Sequence, residues 1–253
     1  MTRPAVRLSH ITKTFPVLES GTEDGRVRDG FFYALDDVSL EIEQGVCTVV
    51  AGANGSGKSL LMSIIAGLEE PDSGGAEVRE KTGLVFQDAD SQILGETPRE
   101  DIAIGVRGKF FFRKAEILSV VETSLRDTGL LSRADFPSHF LSGGEKRRLS
   151  VAGVLAMNAG IIIFDEPYAN LDYPGIVQVN ALINNLLAKN KTIVILTHEL
   201  EKCFALAKKF AVLFEGKLVF NGTPTEGLNA PLEQWGIHNP RRDSSCLEDL
   251  IWI

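Results

Sequence analysis

The sequence predicts an α/β fold built on a mainly parallel sheet, because short β-branched runs alternate with segments of helical periodicity. The runs are CTVVAG, GLVFQ, IIIFDEP and TIVILTH, and such uninterrupted apolar runs are typical of strands buried on both faces. The segments between them include KSLLMSIIAGL, AEILSVVETSLRDTGL, KRRLSVAGVLAMN and GIVQVNALINNLLAKN. Near the C-terminus, KFAVLFEGKLVFNG places two strand-like runs around EGK and predicts a hairpin.

Two regions depart from this alternation. Residues 17–30 are polar and glycine-rich, which favours a long surface loop. Residues 88–158 hold helical patterns without an obvious core strand, which predicts a helical subdomain inserted into the α/β core. We therefore expect one domain over residues 1–226, with the helical subdomain inserted at about 88–158, and a C-terminal tail over residues 227–253.

Composition narrows the possible functions. The chain has 253 residues with 34 acidic and 26 basic side chains, so its net charge of -8 provides no global attraction to nucleic acid. Its cysteines, Cys47, Cys203 and Cys246, are odd in number and far apart, which favours a reducing cytoplasm over a disulfide framework. The apolar runs are far shorter than the roughly 20 residues that span a bilayer. Any role at a membrane is therefore expected to depend on a partner.

The stretch GANGSGKS carries the strongest motif, since it matches G-x-x-x-x-G-K-[ST] between a predicted strand and a predicted helix. Glycines in such a loop let backbone N–H groups converge on phosphate at a helix N-terminus. Lys58 is then expected to neutralise β- and γ-phosphate charge, and the Ser59 hydroxyl to bind Mg²⁺. This is the loop of a P-loop NTPase core, with a predicted phosphate-binding set of Gly52, Asn54, Gly55, Ser56, Gly57, Lys58, Ser59 and Leu60.

Polar residues at the ends of predicted strands supply the rest of the chemistry. Asp165 and Glu166 end the run IIIFDEP at the sheet edge where ligands bind in such folds. Asp165 is expected to bind Mg²⁺ directly or through water, and Glu166 to take a proton from the attacking water. His198, at the end of TIVILTH, could contact the γ-phosphate, although a purely structural role is equally open. Gln87, after GLVFQ, could reach Mg²⁺ or water.

A second glycine-rich turn, LSGGEKRR at residues 141–148, completes a set of motifs that resembles the nucleotide-binding domain of the ATP-binding cassette family. The motifs GANGSGKS, FQ, LSGGEKRR, IIIFDEP, ANLD and TH occur in the family order, and the resemblance extends to about Gly222. It implies an antiparallel β subdomain and a helical signature subdomain beside the core. The chain departs from the common pattern at Glu145, where many members have glutamine.

The resemblance also implies a head-to-tail dimer with two ATP molecules between the subunits. Ser142, Gly143 and Gly144 are then expected to contact the γ-phosphate bound by the partner subunit, and Asp172 to communicate across the interface. One chain cannot surround a small γ-phosphate from both sides, so dimerisation would depend on ATP.

Members of the family also stack adenine on an aromatic ring near the N-terminus. Phe15 fits that position in the chain, whereas the insertion at residues 17–30 makes Phe32 or Tyr33 a rival. The sequence leaves this choice open.

Within the family, three stretches resemble the ATPase subunits of energy-coupling factor importers, the cobalt-type and vitamin transporters. They are DADSQILGETPREDIAIG, LSGGEKRRLSVAGVLAM and DEPYANLD. This likeness implies a transmembrane coupling subunit, a substrate-binding membrane subunit and a place on the cytoplasmic face of the membrane, with no nucleic acid partner. The aspartates at positions 88, 90 and 101 would suit an arginine-bearing helix.

The main alternative is a soluble ATPase of the same family that acts on nucleic acid or ribosomes. Such proteins usually carry coiled-coil insertions or two tandem cassettes, whereas this chain has one cassette and no long heptad tract. A P-loop GTPase or kinase would leave LSGGEKRR and ANLD unexplained.

Overall fold

The computed structural model describes residues 3–17, 25–107 and 114–242. These residues form two compact units. The P-loop unit comprises the described parts of Val6–Ile42, Cys47–Glu77 and Leu196–Ile253, and the signature unit those of Met1–Ala5, Glu43–Val46 and Val78–Ile195.

The regular elements follow the alternation expected from the sequence. In chain order the strands are β1 (Pro4–Pro16), β2 (Val27–Arg28), β3 (Phe31–Glu43), β4 (Cys47–Ala51), β5 (Ser73–Val78), β6 (Thr82–Val85), β7 (Ile161–Asp165), β8 (Thr192–Thr197), β9 (Lys209–Phe214) and β10 (Lys217–Gly222). The α-helices are α1 (Lys58–Ile65), α2 (Pro98–Arg107), α3 (Lys114–Asp127), α4 (Gly143–Ala156), α5 (Tyr173–Ala188) and α6 (Pro224–Gly227). Each of the four predicted core strands and the four predicted helices is present.

In the P-loop unit, β4 runs parallel to β9, and β9 runs antiparallel to β10. The buried strand β4 is apolar along its length, and Val49, Val50 and Ala51 have no exposed surface. The predicted hairpin is confirmed: Glu215 and Gly216 both have positive φ angles, 48° and 77°, as a tight hairpin turn requires. The chain therefore passes directly from a buried strand, which ends at Ala51, into the glycine-rich loop.

A second sheet in the P-loop unit has the strand order β2, β3, β1, β5. The expected surface loop at residues 17–30 is partly wrong, because Val27 and Arg28 form β2 and pair antiparallel with Phe32 and Phe31 of β3. Strand β3 pairs with β1 along one backbone edge, and the short strand β2 pairs along part of the other edge. Residues 18–24 of that stretch lie outside the described residues.

The signature unit contains the strand order β8, β7, β6, with β6 parallel to β7. Helix α4 packs on β6 so closely that a Cβ atom at Gly83 would lie 2.0 Å from a methyl carbon of Val154. The predicted helical insertion is confirmed as a helical cluster: α2, α3 and α4 share one apolar core, formed by Ile102, Val106, Val121, Leu125, Leu149 and Ala152 among others.

Across the described ranges, 3–17, 25–107 and 114–242, we find no helix with both the length and the apolar character needed to cross a bilayer.

Candidate functional site

The predicted phosphate-binding loop connects β4 to α1, as its motif requires. At two positions of this loop, close packing leaves no room for a side chain and therefore requires glycine. Gly57 has φ of 102°, and a Cβ atom there would lie 2.8 Å from the carbonyl oxygen of Ala34. A Cβ atom at Gly52 would lie 2.3 Å from the carbonyl oxygen of Leu213. The loop is therefore held tightly between β3 and β9, and its backbone turns directly into the N-terminus of α1.

The polar side chains of this loop have the character of an anion site. Lys58 is 6% exposed, and its Nζ donates hydrogen bonds to the carbonyl oxygens of Gly52 (2.7 Å) and Ala53 (3.1 Å). The ammonium group therefore curls back over the loop. The Ser56 hydroxyl is buried and has no hydrogen-bond partner within the described residues, an arrangement that a phosphate oxygen would satisfy. These donors fit a nucleotide phosphate.

The other predicted phosphate-binding residues lie within the loop and in the first turn of α1. Asn54 and Gly55 are exposed, and the Ser59 side chain lies at the exposed start of α1. Leu60 is half-buried in the first turn of that helix.

Three aromatic rings compete for the predicted adenine-stacking role. Phe15 is 43% exposed near the end of β1. Phe32 and Tyr33 each have a ring face covered by a guanidinium group, that of Arg26 at 4.5 Å and that of Arg28 at 4.0 Å. The Lys13 ammonium also lies over the Phe15 ring, 5.9 Å from its centre, but Phe15 is exposed whereas Phe32 and Tyr33 are half-buried, so Phe15 has more surface to offer a base.

His198 belongs to the P-loop unit and directly follows β8. Its side chain is exposed, while the neighbouring turn is fixed by a hydrogen bond from the Glu199 N–H to the Thr197 hydroxyl (3.0 Å).

In the signature unit, Asp165 is the last residue of β7 and Glu166 follows it. Glu166 is only 7% exposed and has a left-handed backbone, with φ of 44°. A non-glycine residue in this region costs on the order of 1 kcal/mol, and such strain is concentrated at functional sites. A buried carboxylate kept at that cost is consistent with a chemical role for Glu166.

The signature turn begins α4 with a reciprocal capping box. The Ser142 hydroxyl oxygen accepts a hydrogen bond from the Glu145 N–H (3.3 Å), and the Glu145 carboxylate accepts one from the Ser142 N–H (2.9 Å). That backbone bond, helped by the Ser142 side chain and by the charges of Arg133 and Arg148, keeps the pKa of Glu145 below its usual range despite partial burial.

The signature glycines lie beside the start of α5. A Cβ atom at Gly143 would lie 3.5 Å from a Leu171 methyl carbon, and one at Gly144 would lie 3.8 Å from the Cα of Gly175. Asp172 is the N-cap of α5, since its carboxylate accepts a hydrogen bond from the Gly175 N–H (3.0 Å). The signature unit thus brings the predicted residues 142–144 and 172 into one region.

Sequence reasoning missed Arg147, which joins the signature helix to the backbone at Gln87. Arg147 is 3% exposed and donates hydrogen bonds to the carbonyl oxygens of Phe86 and Gln87, the latter at 2.8 Å. Burial lowers the pKa of Arg147, and the negative charges of Asp88 and Asp165 oppose that shift. The Gln87 side chain itself is exposed. The available signal was helical spacing. Arg147 lies three or four residues from positions 144 and 151, so it shares the buried face of α4 with them and with position 154.

No group of three or more His, Cys, Asp or Glu side chains that could hold a metal occurs in the described part of the chain. In phosphate sites Mg²⁺ is usually held by one or two carboxylates together with the phosphates of the substrate.

A buried strand that ends in a glycine loop with a buried lysine defines the class of P-loop nucleotide-binding proteins. A family model described as "ABC transporter" matches residues 35–169, just over half of the chain. The chain belongs to this family and is an ABC-type ATPase, as the resemblance of its motifs implied.

Comparison with known proteins agrees with this assignment. The energy-coupling factor transporter ATP-binding protein EcfA1 of Mycoplasma mobile is 36% identical over 225 residues, which cover 83% of this chain and 81% of that protein. Among solved structures, CbiO1 from Clostridium perfringens, described as part of the ABC transporter complex CbiONQ, has a TM-score of 0.77 at 27% identity, covering 94% of this chain and 96% of that one.

The dimeric ATP-binding cassette MJ0796, in a post-hydrolysis state bound to ADP and Pi, has a TM-score of 0.72 at 25% identity over 87% of this chain and 98% of that chain. The similarity to EcfA1 confirms the expected likeness to ATPases of energy-coupling factor transporters.

Proposed function

We propose that the chain binds and hydrolyses ATP with Mg²⁺ as the subunit that powers a membrane importer of the energy-coupling factor type, for a metal ion or a vitamin. The phosphate-binding loop carries this proposal. It combines the folded-back Lys58 ammonium, the buried Ser56 hydroxyl and the N-terminus of α1 in one tight turn. The names of the similar proteins support a transporter and its energy-coupling factor class.

In this proposal the loop binds the nucleotide phosphates. Backbone N–H groups of residues 52–57 and the start of α1 at Leu60 hold the phosphate oxygens, and Lys58 leaves the Gly52 and Ala53 carbonyl oxygens to neutralise them. Ser59, Gln87 and Asp165 provide oxygen ligands for Mg²⁺, which neutralises phosphate charge when bound. Phe15 stacks on adenine, since it is the most exposed of the three candidate rings.

Glu166 acts as the general base that accepts a proton from the attacking water, and His198 donates a hydrogen bond to the γ-phosphate. The burial and fixed backbone of Glu166 support a defined orientation of its carboxylate. General-base catalysis of this kind contributes about 10²- to 10⁴-fold in rate.

The signature turn serves a nucleotide bound by a second ATPase subunit, either another copy or a related chain. Ser142 and Gly143 are exposed, and the first N–H groups of α4 point out of the helix end. Asp172 communicates across the same interface. The dimeric state of MJ0796 with ADP and Pi supports a subunit pair that shares nucleotide.

The membrane subunits are proposed to dock on the segment after Gln87, which would hold the chain at the cytoplasmic face of the membrane. A cavity of about 200 Å³ lies there, with the exposed side chain of Leu94 among its lining residues. Two of the three aspartates of this segment already have partners within the chain. Asp90 forms an ion pair with Lys146 (2.6 Å), and Asp101 accepts the Leu94 and Gly95 N–H groups (2.7 and 3.0 Å). We therefore expect apolar contact to contribute more to docking than the negative charge of the three aspartates does.

The test uses Glu166→Gln, which preserves size and polarity but removes the basic oxygen. We expect the variant to bind ATP, to lose hydrolysis by about 10²-fold or more, and to accumulate as an ATP-bound dimer in light scattering. The wild-type chain in ADP, which we expect to stay monomeric, is the matched control. An unchanged hydrolysis rate would exclude Glu166 as the base, and a wild-type chain that binds no ATP would refute the function.

The importer is tested separately by purifying the intact complex from membranes through a tagged chain. Recovery of two kinds of integral membrane subunit together with ATPase activity supports the proposal. Recovery of nucleic acid or ribosomes in place of membrane subunits would contradict it.

A further inference from the structure

Arg26 belongs to the stretch that the sequence suggested was only a surface loop. Its backbone is fixed there, because its carbonyl oxygen accepts a hydrogen bond from the Tyr33 N–H (2.9 Å). The neighbouring residues Val27 and Arg28 pair with Phe32 and Phe31. The position of Arg26 is therefore set by the β2–β3 pairing.

The Arg26 side chain reaches the phosphate-binding loop. Its Nη1 donates a hydrogen bond to the carbonyl oxygen of Gly55 (3.0 Å), and its guanidinium lies 4.5 Å from the centre of the Phe32 ring. The ring holds the flat guanidinium by a cation–π contact and so directs it at the loop.

This contact occurs where the loop is otherwise open. Gly52 and Gly57 are packed against neighbouring backbone, whereas a Cβ atom at Gly55 would have no heavy atom within 4 Å. Gly55 also has φ of 76°, and glycine adopts positive and negative φ angles about equally readily. A hydrogen bond to its carbonyl oxygen fixes the plane of the peptide group between Gly55 and Ser56.

We propose that Arg26 is a positioning residue for nucleotide phosphates: it fixes the Gly55 peptide and adds a positive charge beside the loop. The inference rests on the proposed ATP-binding function and adds a residue from outside the motif to it. Its consequence is higher affinity for nucleoside diphosphates and triphosphates, with little effect on the rate once the nucleotide is bound. Fixing the loop in advance lowers the entropy lost on binding.

Arg28 offers a matched control two residues away. It also lies over an aromatic ring, Tyr33 at 4.0 Å, but its guanidinium pairs with the Asp36 carboxylate. Asp36 is partly buried, which opposes ionisation, but Arg28 and Lys217 together keep its pKa below the usual range. Arg28 thus shares the stacking and the charge of Arg26, with an ion pair in place of the loop contact.

The experiment compares Arg26→Ala, Arg26→Lys and Arg28→Ala in the full chain by equilibrium binding of ATP and ADP with Mg²⁺ and by steady-state hydrolysis. The Arg26 contact is exposed and acts on the nucleotide through the loop, so its loss predicts the effect of an ordinary hydrogen bond: a rise of roughly 3- to 10-fold in Kd and in KM for Arg26→Ala, with kcat within about 2-fold of wild type. Arg28→Ala should stay within about 2-fold in Kd. Arg26→Lys should recover part of the loss, since it keeps the charge and a donor.

Two further measurements separate positioning from folding. The melting temperature of Arg26→Ala without nucleotide should stay close to that of wild type, and the salt dependence of ATP binding should be weaker in Arg26→Ala because a cation is missing. Equal ATP affinity in Arg26→Ala and Arg28→Ala, or a fall in kcat without a rise in KM, would overturn the inference. If the wild-type chain itself fails to bind ATP, the proposed function fails instead.

Discussion

The phosphate-binding loop and the signature turn are both glycine-rich turns at the N-terminus of a helix, but they treat that N-terminus differently. Helix α1 starts after Gly57 with no side-chain cap and no acidic residue in its first turn. Helix α4 starts after Ser142 with a capping box and Glu145 in its first turn. The first turn leaves backbone donors and the helix dipole to an anion, whereas the second satisfies part of its own donors.

We therefore distinguish two kinds of anion site. The strong site is the loop at residues 52–59 at the start of α1, and the conditional site is the turn at residues 142–144 at the start of α4. A phosphate at α1 meets backbone donors with no side-chain cap or acidic residue beside them, in a loop that packs against Ala34 and Leu213 at two of its glycines. A phosphate at α4 meets a turn that is stable without it and already holds a carboxylate. We expect the signature turn to bind only a phosphate that another subunit presents.

The largest expected effect comes from blocking the conditional site. Ser142→Arg places a bulky side chain at the N-cap and should reduce hydrolysis by about 10²- to 10³-fold, the usual effect of losing a donor to transition-state charge. ATP binding by the isolated chain should remain, because the phosphate-binding loop is unchanged. Hydrolysis and equilibrium binding measured together provide the check. Normal turnover would show that the two turns do not cooperate, and Ser91→Arg, at an exposed position, controls for added charge.

Removing the cation of the strong site should affect binding rather than a later step. Lys58→Met keeps the buried stem and removes the ammonium that donates to the Gly52 and Ala53 carbonyl oxygens. We expect ATP affinity to fall by about 10- to 100-fold, the range for a lost hydrogen bond to a charged group. Calorimetry measures the change, with Lys189→Met as a surface control. If Lys58→Met bound ATP as well as wild type, the comparison between the turns would fail.

The glycines of the two turns should differ in their tolerance of a methyl group. Gly57→Ala forces a Cβ atom to within 2.8 Å of the Ala34 carbonyl oxygen at a φ of 102°, and should destabilise the fold by about 1–3 kcal/mol. Gly143→Ala meets ordinary contact at 3.5 Å and should change stability by less than about 0.5 kcal/mol. Denaturant unfolding of both variants decides the point. Equal losses would show that the signature glycine is also required for packing.

The smallest expected effect concerns pH. The folded pKa of Glu145 is lowered chiefly by the Ser142 N–H, so its stabilising contribution is complete above the unfolded pKa of about 4.3 and is lost as pH falls through the folded pKa. Glu145→Ala should destabilise the chain by about 0.5–1 kcal/mol at pH 7. The gap from wild type should close at acid pH. Glu122→Ala, on the exposed face of α3, is the control, and a gap independent of pH would contradict the role of the carboxylate charge.

The elements with a clear period were predictable from the sequence alone. Strands β4, β6, β7 and β8 lie in the apolar runs that indicated them, because a strand buried on both faces leaves little choice of residue. The loop at residues 52–59 was predictable too, since its motif defines both the strand before it and the helix after it. The start of α4 was less clear: helical pattern began at Lys146, yet the helix begins at Gly143 because the capping box overrides the poor helix propensity of two glycines.

Contacts between distant segments were beyond sequence reasoning. Arg147 was visible only as part of a basic run, and its bonds to the Phe86 and Gln87 carbonyl oxygens depend on how α4 packs on β6. Arg26 was hidden because a two-residue strand has no periodicity to detect. In both cases a charged side chain finds backbone carbonyl oxygens that only the folded chain brings within reach.

The hairpin turn between β9 and β10 has a consequence for how the chain folds. The Gly216 N–H donates a hydrogen bond to the Ser56 carbonyl oxygen (3.1 Å), and the Asp36 N–H donates one to the Gly216 carbonyl oxygen (2.9 Å). The finished shape of the phosphate-binding loop therefore needs a segment that a ribosome makes long after the loop itself. Such non-local contacts form late and slowly. A nascent chain should acquire nucleotide affinity only when its C-terminal third has emerged, and nucleotide supplied at that stage should drive refolding to completion.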